Sequence, residues 1–321
     1  MRALLLSTLL AAGSSGPLMA NEAGTVEPRP QPALISAQAT RGLLMALGEA
    51  GPRLVAVGGN GLILLSEDGQ SWRQVASPVD TALTAVSFLD ARIGWAVGHD
   101  AAVLRTEDGG ERWSLVSWQP ELTSPLFAVQ ALDAQRVLAV GAFGLVRRSD
   151  DGGRQWREVE IPTLSEERLH LNAMTRLADG RLVVVGERGL IAQSADGESW
   201  QRQSSGYEGS FFGVLPWGER GALAYGMRGN VYRCEDLASG VWTAVDTGTT
   251  TSFFGGHRLD SGEVLLVGAE GTVLRIGPDA RAQRLPRAQS GIDETLTGLR
   301  LRDGEWVLVG DRGVERQRPP S

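Results

Sequence analysis

An apolar residue followed by glycine recurs seven times along the chain, at Val57-Gly58, Val97-Gly98, Val140-Gly141, Val185-Gly186, Tyr225-Gly226, Val267-Gly268 and Val309-Gly310. The intervals between the glycines are 40, 43, 45, 40, 42 and 42 residues. A period of this length is that of a four-stranded propeller blade, which cannot bury both its faces until neighbours stack against it. In six of the seven copies a second glycine stands three residues on, at Gly61, Gly144, Gly189, Gly229, Gly271 and Gly313; Ala101 takes that place in the second copy. Glycines here suit a hairpin turn that calls for positive φ.

The second copy displays the strands best. Residues 83–88 (LTAVSF) alternate as a first strand, residues 93–97 (IGWAV) form a second, and Gly98-His99-Asp100 is the turn. Residues 102–106 (AVLRT) and 112–116 (RWSLV) are the third and fourth strands, with Glu107-Asp108-Gly109-Gly110 between them. That last turn is a second landmark. It reads SEDGQSW (66–72), TEDGGERW (106–113), SDDGGRQW (149–156) and SADGESW (194–200), with a worn copy from Cys234-Glu235-Asp236 to Trp242. It resembles the Asp-box of bacterial-neuraminidase-type repeats. The carboxylates of Asp68, Asp108, Asp151, Asp196 and Asp236 can accept backbone N–H bonds within the turn. Trp72, Trp113, Trp156, Trp200 and Trp242 would pack between neighbouring blades. The chain therefore reads as all-β, a seven-bladed β-propeller over residues 33–318, with no convincing helix. The seventh repeat stops at residues 314–317 without an Asp turn or a fourth strand. Residues 33–37 (ALISA) precede the first blade and are expected to supply that strand and close the ring, because an open edge invites aggregation.

Composition limits function. The net charge is −7, and without the first 20 residues, whose only charge is Arg2, it is −8. This balance argues against nucleic-acid binding, which needs a basic face. All 31 basic residues are arginine, so each positive charge is permanent and has a planar fork suited to carboxylate or phosphate. A single cysteine, Cys234, allows no internal disulfide. Arg2, the apolar run 3–12 and Pro17-Leu18-Met19-Ala20 read as a signal peptide over residues 1–20, which predicts a periplasmic protein. The run is too short to span a bilayer stably. Residues 21–32, with Pro28, Pro30 and Pro32, read as a flexible lead-in.

The pattern VGxxGxIxxSxDGGxxW, repeated behind a signal peptide, resembles the photosystem II stability/assembly-factor-like propellers over roughly residues 40–317. Photosynthetic members hold a membrane-protein subunit during assembly. Relatives in non-photosynthetic bacteria are often encoded near resistance-nodulation-division-type exporters. The resemblance implies a non-enzymatic, monomeric periplasmic accessory, of the non-photosynthetic branch, docking on a membrane complex such as an exporter. It also implies an arginine-rich partner face. In this sequence the variable residue of the turn between strands two and three is Arg188, Arg228 and Arg312, all on one face of a propeller, and Arg258 beside His257 is a weaker addition. Glu187 and Asp311 adjoin two of these arginines, and local ion pairs between solvated turn residues are the bland alternative. The irregular loops 160–168 and 203–210 should emerge on the same face, where long loops on a rigid scaffold commonly bind.

Catalysis finds less support. Glycoside hydrolysis needs two carboxylates within about 5–10 Å, and aspartates repeated once per blade at outer turns are too far apart. A sialidase-like or carbohydrate-binding propeller is the alternative reading, with Tyr207 beside Glu208 as its one candidate nucleophile. Cys234 stands where other copies have Ser or Thr, so it fills the small polar slot of the turn. His99, His170 and His257 fall in different blades without the paired spacing of a metal site. The glycines belong to hairpins, so no nucleotide loop opens a helix, and no cofactor is expected.

Overall fold

The computed structural model describes residues 28–287 and 294–320. The signal peptide and most of the lead-in lie outside the described residues. Six antiparallel sheets of four strands and one of three follow each other along the chain, each in the order first-second-third-fourth. Blade one comprises Leu44–Ala50, Arg53–Gly58, Ile63–Ser66 and Arg73–Gln74; blade two comprises Leu83–Phe88, Gly94–Gly98, Val103–Thr106 and Ser114–Ser117. The strands anticipated for blade two thus fall within two residues of the observed ones. Blade seven has Leu296–Arg302, Glu305–Gly310 and Gly313–Gln317. The chain is a seven-bladed β-propeller.

Second strands such as Leu182–Gly186 and Val264–Gly268 are buried along their whole length, as expected of strands flanked by neighbours on both faces. The core is distributed between blades. Val55, Val57, Ile63, Leu65 and Val75 of blade one form one buried cluster with Leu83, Ala96, Leu104 and Trp113 of blade two. A matching cluster joins Leu44, Leu47, Leu54 and Leu64 of blade one to Val307 and Val309 of blade seven.

The repeated glycines have two separate causes. Gly58, at the end of a second strand, has φ of −172°, an ordinary extended value. Its requirement is steric: a Cβ there would stand 2.0 Å from the carbonyl oxygen of Leu43. That carbonyl accepts the N–H of the next residue, Gly59, at 3.0 Å. The glycine three residues on, Gly61, does need positive φ (68°). The reading of both glycines as turn residues holds only for the second.

Two expectations are corrected. Residues 33–37 do not complete blade seven. Ala33 donates its N–H to Ser77 O (3.1 Å), and the Gln74 amide bridges Ser36 N (2.8 Å) and Leu34 O (2.9 Å). The segment therefore runs along the outer edge of blade one, held by the side chain of that blade's own fourth strand. The ring closes instead by side chains. Arg300 Nε lies 3.1 Å from Glu49 Oε2, Arg302 Nη2 lies 3.3 Å from Glu49 Oε1, and Thr297 Oγ1 donates to Leu44 O at 2.8 Å. The second correction is a one-turn α-helix, Pro162–Ser165, inside the irregular loop 160–168. Proline at its start presets the helical φ, and Leu164 is fully buried beneath it.

Two predictions follow from this packing. Removing one partner of a half-buried pair costs between the exposed and the fully buried cases, about 1–3 kcal/mol. Glu49→Gln should therefore lower the melting temperature more than deletion of residues 21–37 does; the reverse order in thermal melts would return closure to the N-terminal segment. At Gly153, φ is 80° and a Cβ would stand 1.8 Å from Trp95 Nε1, whereas at Gly218, φ is 58° and nothing lies within 4 Å. Both substitutions to alanine carry the conformational penalty, but Gly153→Ala should cost a further ~1–3 kcal/mol for overpacking. Equal shifts in urea midpoint would disprove the packing assignment.

Candidate functional site

Turns between second and third strands, and loops from each fourth strand to the next blade, share one end of the propeller. Here this end is called the turn face. The loop 160–168 packs beneath the turn at Gly144, and Gly189 N–H donates to Gly209 O at 2.7 Å, so both irregular loops emerge there as expected. Arg188 and Arg228 occupy the left-handed position of their turns, with φ of 51° and 54°. Both are exposed, as is Arg312. Blade seven has a tighter turn: Gly310 pairs directly with Gly313, where Gly58 of blade one donates its N–H to Leu62 O instead.

Among the described residues, Arg188, Arg228 and Arg312 have no side-chain ion-pair partner. Glu187 is engaged elsewhere: its Oε2 accepts the His170 N–H at 2.8 Å, and its Oε1 lies 3.6 Å from His170 Nδ1. Local neutralisation of Arg188 by its neighbour is therefore not what the turn provides. Arg258 and His257 are placed differently from the other three. In their strand Phe253 pairs with Gly268 at the turn-face end, while His257 and Arg258 pair with Leu265 and Val264. The six-residue strand spans roughly 17 Å, so Arg258 lies at the opposite end and does not join the cluster.

The sequence reading missed an apolar component of this face. Every innermost strand carries a β-bulge at its turn-face end, one residue after its first. The bulged residues are Met45, Thr84, Phe127, Asn172, Phe212, Phe254 and Thr297. The polar ones tie blades together: Asn172 Nδ2 donates to Phe211 O at 2.8 Å, as Thr297 does to Leu44. The aromatic ones line the mouth of the ring. Phe212 and Phe254 stack at 5.4 Å, and the His170 ring lies 5.8 Å from Phe127 and 4.9 Å from Phe143. With exposed Phe143, Met227 and Phe254 they form an apolar crescent over blades three to six, on the same face as exposed Arg188 and Arg228. A cleft of about 590 Å³ opens beside Phe143, Pro162 and Arg168, and another of about 610 Å³ beside Arg228, Thr249 and Arg284. The legible signal was the recurring LxA, FxG or LxG at each first strand.

The Asp turns sit at the opposite end and spend their carboxylates on the backbone. Asp68 Oδ1 accepts the N–H groups of Gln70 (2.8 Å) and Ser71 (2.7 Å) and the Ser66 hydroxyl (3.0 Å), and Trp72 Nε1 donates to Gly69 O at 3.2 Å. Asp108, Asp151 and Asp196 repeat the arrangement with Trp113, Trp156 and Trp200. The worn copy differs. Asp236 accepts the Ala238 N–H at 2.9 Å, but Trp242 Nε1 donates to Gln203 Oε1 of the preceding blade at 2.8 Å. Cys234 is buried, its pKa pushed up by that burial, and its Sγ donates to Asp236 O. Tyr207 stacks on Tyr232 at 5.6 Å and donates its hydroxyl to Met227 O at 3.2 Å. Burial raises its pKa, the opposite of what an activated nucleophile needs. Among the described residues no three His, Cys, Asp or Glu side chains gather as metal ligands would.

Backbone N–H bonds hold the Asp68 carboxyl down at about 2, against an ordinary 3.8. The same cause lowers Asp151 and Asp196. His257 is depressed to about 4 from 6.5, by burial first and then by Arg300 and Arg302. A group with a folded pKa below its unfolded one stabilises the fold above the unfolded value and loses that contribution as pH falls. Stability should therefore decline in two stages, from pH 6.5 to 4 through His257 and below 4 through the Asp turns. His257→Gln should flatten the upper stage of urea midpoint against pH, and Asp68→Asn should shrink the lower; an unchanged profile in both would refute the assignment.

Comparison with known proteins adds a family. The family model described as photosynthesis system II assembly factor YCF48 matches residues 64–123 and 115–282. No curated protein matches the sequence. Among solved structures, YCF48 bound to D1 peptide is 18% identical with a TM-score of 0.70, over 92% of this chain and 99% of that one. YCF48 from Cyanidioschyzon merolae is 18% identical with a TM-score of 0.69, over 86% of this chain and 95% of that one. The WD40 β-propeller domain of Doa1 is 10% identical with a TM-score of 0.68, over 90% and 96% respectively.

Proposed function

The chain belongs to the photosynthesis system II assembly factor YCF48 family, and from that premise we propose that it is a non-enzymatic periplasmic docking or assembly factor for a membrane protein complex. The observation that carries this reading is the turn face. Exposed guanidinium groups of Arg188, Arg228 and Arg312, without ion-pair partners among the described residues, stand on the same face as exposed Phe143, Met227 and Phe254. Arginine and aromatic side chains together are the composition of protein–protein hot spots. An arginine with no internal carboxylate is free to take a bidentate one from a partner. A YCF48 of this fold holds a D1 peptide, and a segment of a membrane-protein subunit is the partner class proposed here. The periplasmic location rests on the apolar run 3–12 and the cleavage-like PLMA that follows it. An exporter of the resistance-nodulation-division type is the specific partner proposed, on the family resemblance of the non-photosynthetic branch.

The test is affinity purification of the tagged protein from crosslinked native membranes, with mass spectrometry, beside Arg188→Glu/Arg228→Glu/Arg312→Glu. One inner-membrane complex should be recovered with the wild type and fall at least about tenfold with the triple variant, the effect of losing ~1.4 kcal/mol or more. Equal recovery with both would remove the face from the mechanism. Absence of any membrane partner would remove the docking role itself.

A further inference from the structure

We propose that the outer edge of blade seven is a docking slot for an extended segment of a partner protein, which adds as the fourth strand and sets an apolar residue against Trp72. Among the described residues no strand pairs with the outer side of Gly313–Gln317. The other six blades show what belongs there. In blade one Ile63 C=O accepts the Val75 N–H at 3.1 Å and Leu65 pairs with Arg73. Ile63 stands opposite Val57 as Val314 stands opposite Val309. The backbone groups of Val314 and Arg316 therefore face the vacant side, a template for strand addition.

The side chains point the same way. Each Asp-turn tryptophan after the first packs on the fourth strand of the blade before it. Trp113 shares a buried cluster with Val75, Trp156 with Val116 and Trp200 with Val159, while Trp242 bonds to Gln203. Trp72 is the tryptophan that faces blade seven, and there it meets Val314 but no fourth strand. A cleft of about 350 Å³ remains, lined by Thr40, Gly69, Gln70, Trp72, Val314 and Arg316, with Glu305 at its rim. Ala39 and Thr40 close only its upper end, at Gly313.

The chain's own fourth strands define the occupant. In four of the six four-stranded blades an apolar residue, Val75, Val159, Val245 or Leu285, stands opposite the position of Val314, against Ser117 and Gln203 in blades two and four; polar pairs precede three of the four: Arg73-Gln74, Arg157-Glu158 and Gln283-Arg284. The fitting segment is thus polar-polar-apolar and extended. This chain's own extended stretch outside the blades is already bonded to blade one at Ala33 and Ser36, which favours a partner over a second copy. The inference is independent of the turn-face reading.

The probe is a fluorescein-labelled peptide of the sequence of residues 73–79 (RQVASPV), titrated by anisotropy against the full mature chain. Saturable binding is expected. Aspartate at the valine corresponding to Val75, or N-methylation of that residue's amide, should weaken binding at least about tenfold. N-methylation of the preceding glutamine, whose amide faces away from the edge, should not. Arg316→Pro removes the outward N–H at an edge position where proline is tolerated, and should weaken binding about as much as the aspartate peptide does. Arg316→Ala, which keeps that N–H but removes a side chain lining the cleft, should weaken binding less than Arg316→Pro does. The proposal fails if no saturable binding occurs, or if both methylated peptides bind alike. It also fails if Arg316→Pro binds as wild type with an intact circular-dichroism melt, or if sedimentation shows a dimer that this variant abolishes, which would place a second copy in the slot.

Discussion

The fold rests on one close approach made seven times. The residue before each first strand turns its carbonyl onto the glycine that ends the second strand, and that carbonyl accepts the N–H of the following residue. Leu43 O meets Gly58 and receives Gly59 N–H, and His170 O meets Gly186 and receives the Glu187 N–H at 3.1 Å. Thr295 O does the same at Gly310, receiving the Asp311 N–H at 3.0 Å. A hypothetical Cβ would lie 2.0–2.2 Å from the carbonyl oxygen at each site. This is backbone against backbone, which no rotamer change relieves. The bond spans the strand ladder at the inner end of each blade, so the first strand must bulge to admit it, and the bulge appears in all seven blades.

Closure of the ring follows different physics from the other junctions. Elsewhere a blade passes to the next through a covalent loop and an apolar interface. At the seam the apolar interface is kept, with Trp72 packed against it, but there is no covalent loop, and among the described residues blade seven has no fourth strand. Arginines concentrate there instead: Arg300 and Arg302 share Glu49, and Arg316 donates to Asp68 O at 3.1 Å. Glu49 is the acceptor shared by two guanidinium groups, and burial, followed by the charges of Arg300 and Arg302, lowers the pKa of His257. The ion pairs make this seam more sensitive to salt than a wholly apolar one of the same area.

Fold class was legible because the governing constraint is periodic and has a residue type of its own. Only glycine satisfies the carbonyl approach, so Val-Gly recurs; only a small hydroxyl, an aspartate and a tryptophan build the outer turn, so SxDG-W recurs. The path of residues 33–37 was not legible, since it depends on Gln74 reaching back to Leu34 and Ser36, contacts with no periodic trace. Arg258 was misplaced because sequence proximity to a blade boundary does not say which end of a strand a residue occupies. The apolar crescent was hidden for a related reason. Phe127, Phe212 and Phe254 sit inside first strands, where an aromatic residue ordinarily means core, and the bulge that turns them to the mouth leaves no mark except a following Ala or Gly.

The same bulge connects fold to function. In an unbulged strand, the residue after the first would turn into a blade interface. Here the extra residue releases it toward the mouth of the ring, on the face that also carries the left-handed turn residues Phe143, Arg188 and Arg228. A bulge in the strand accompanies the glycine-carbonyl bond in all seven blades, and left-handed φ at a non-glycine turn residue accompanies it in six. Neither position contributes to the blade interior, so apart from the bulge residues that bond to the next blade, Thr84, Asn172 and Thr297, their side chains are free to vary. The propeller thus holds two sets of positions that the blade core leaves unconstrained, both on one face. In blades three to six, six of these eight positions are phenylalanine or arginine, the others being Asn172 and Glu270, a selection that stability alone does not explain.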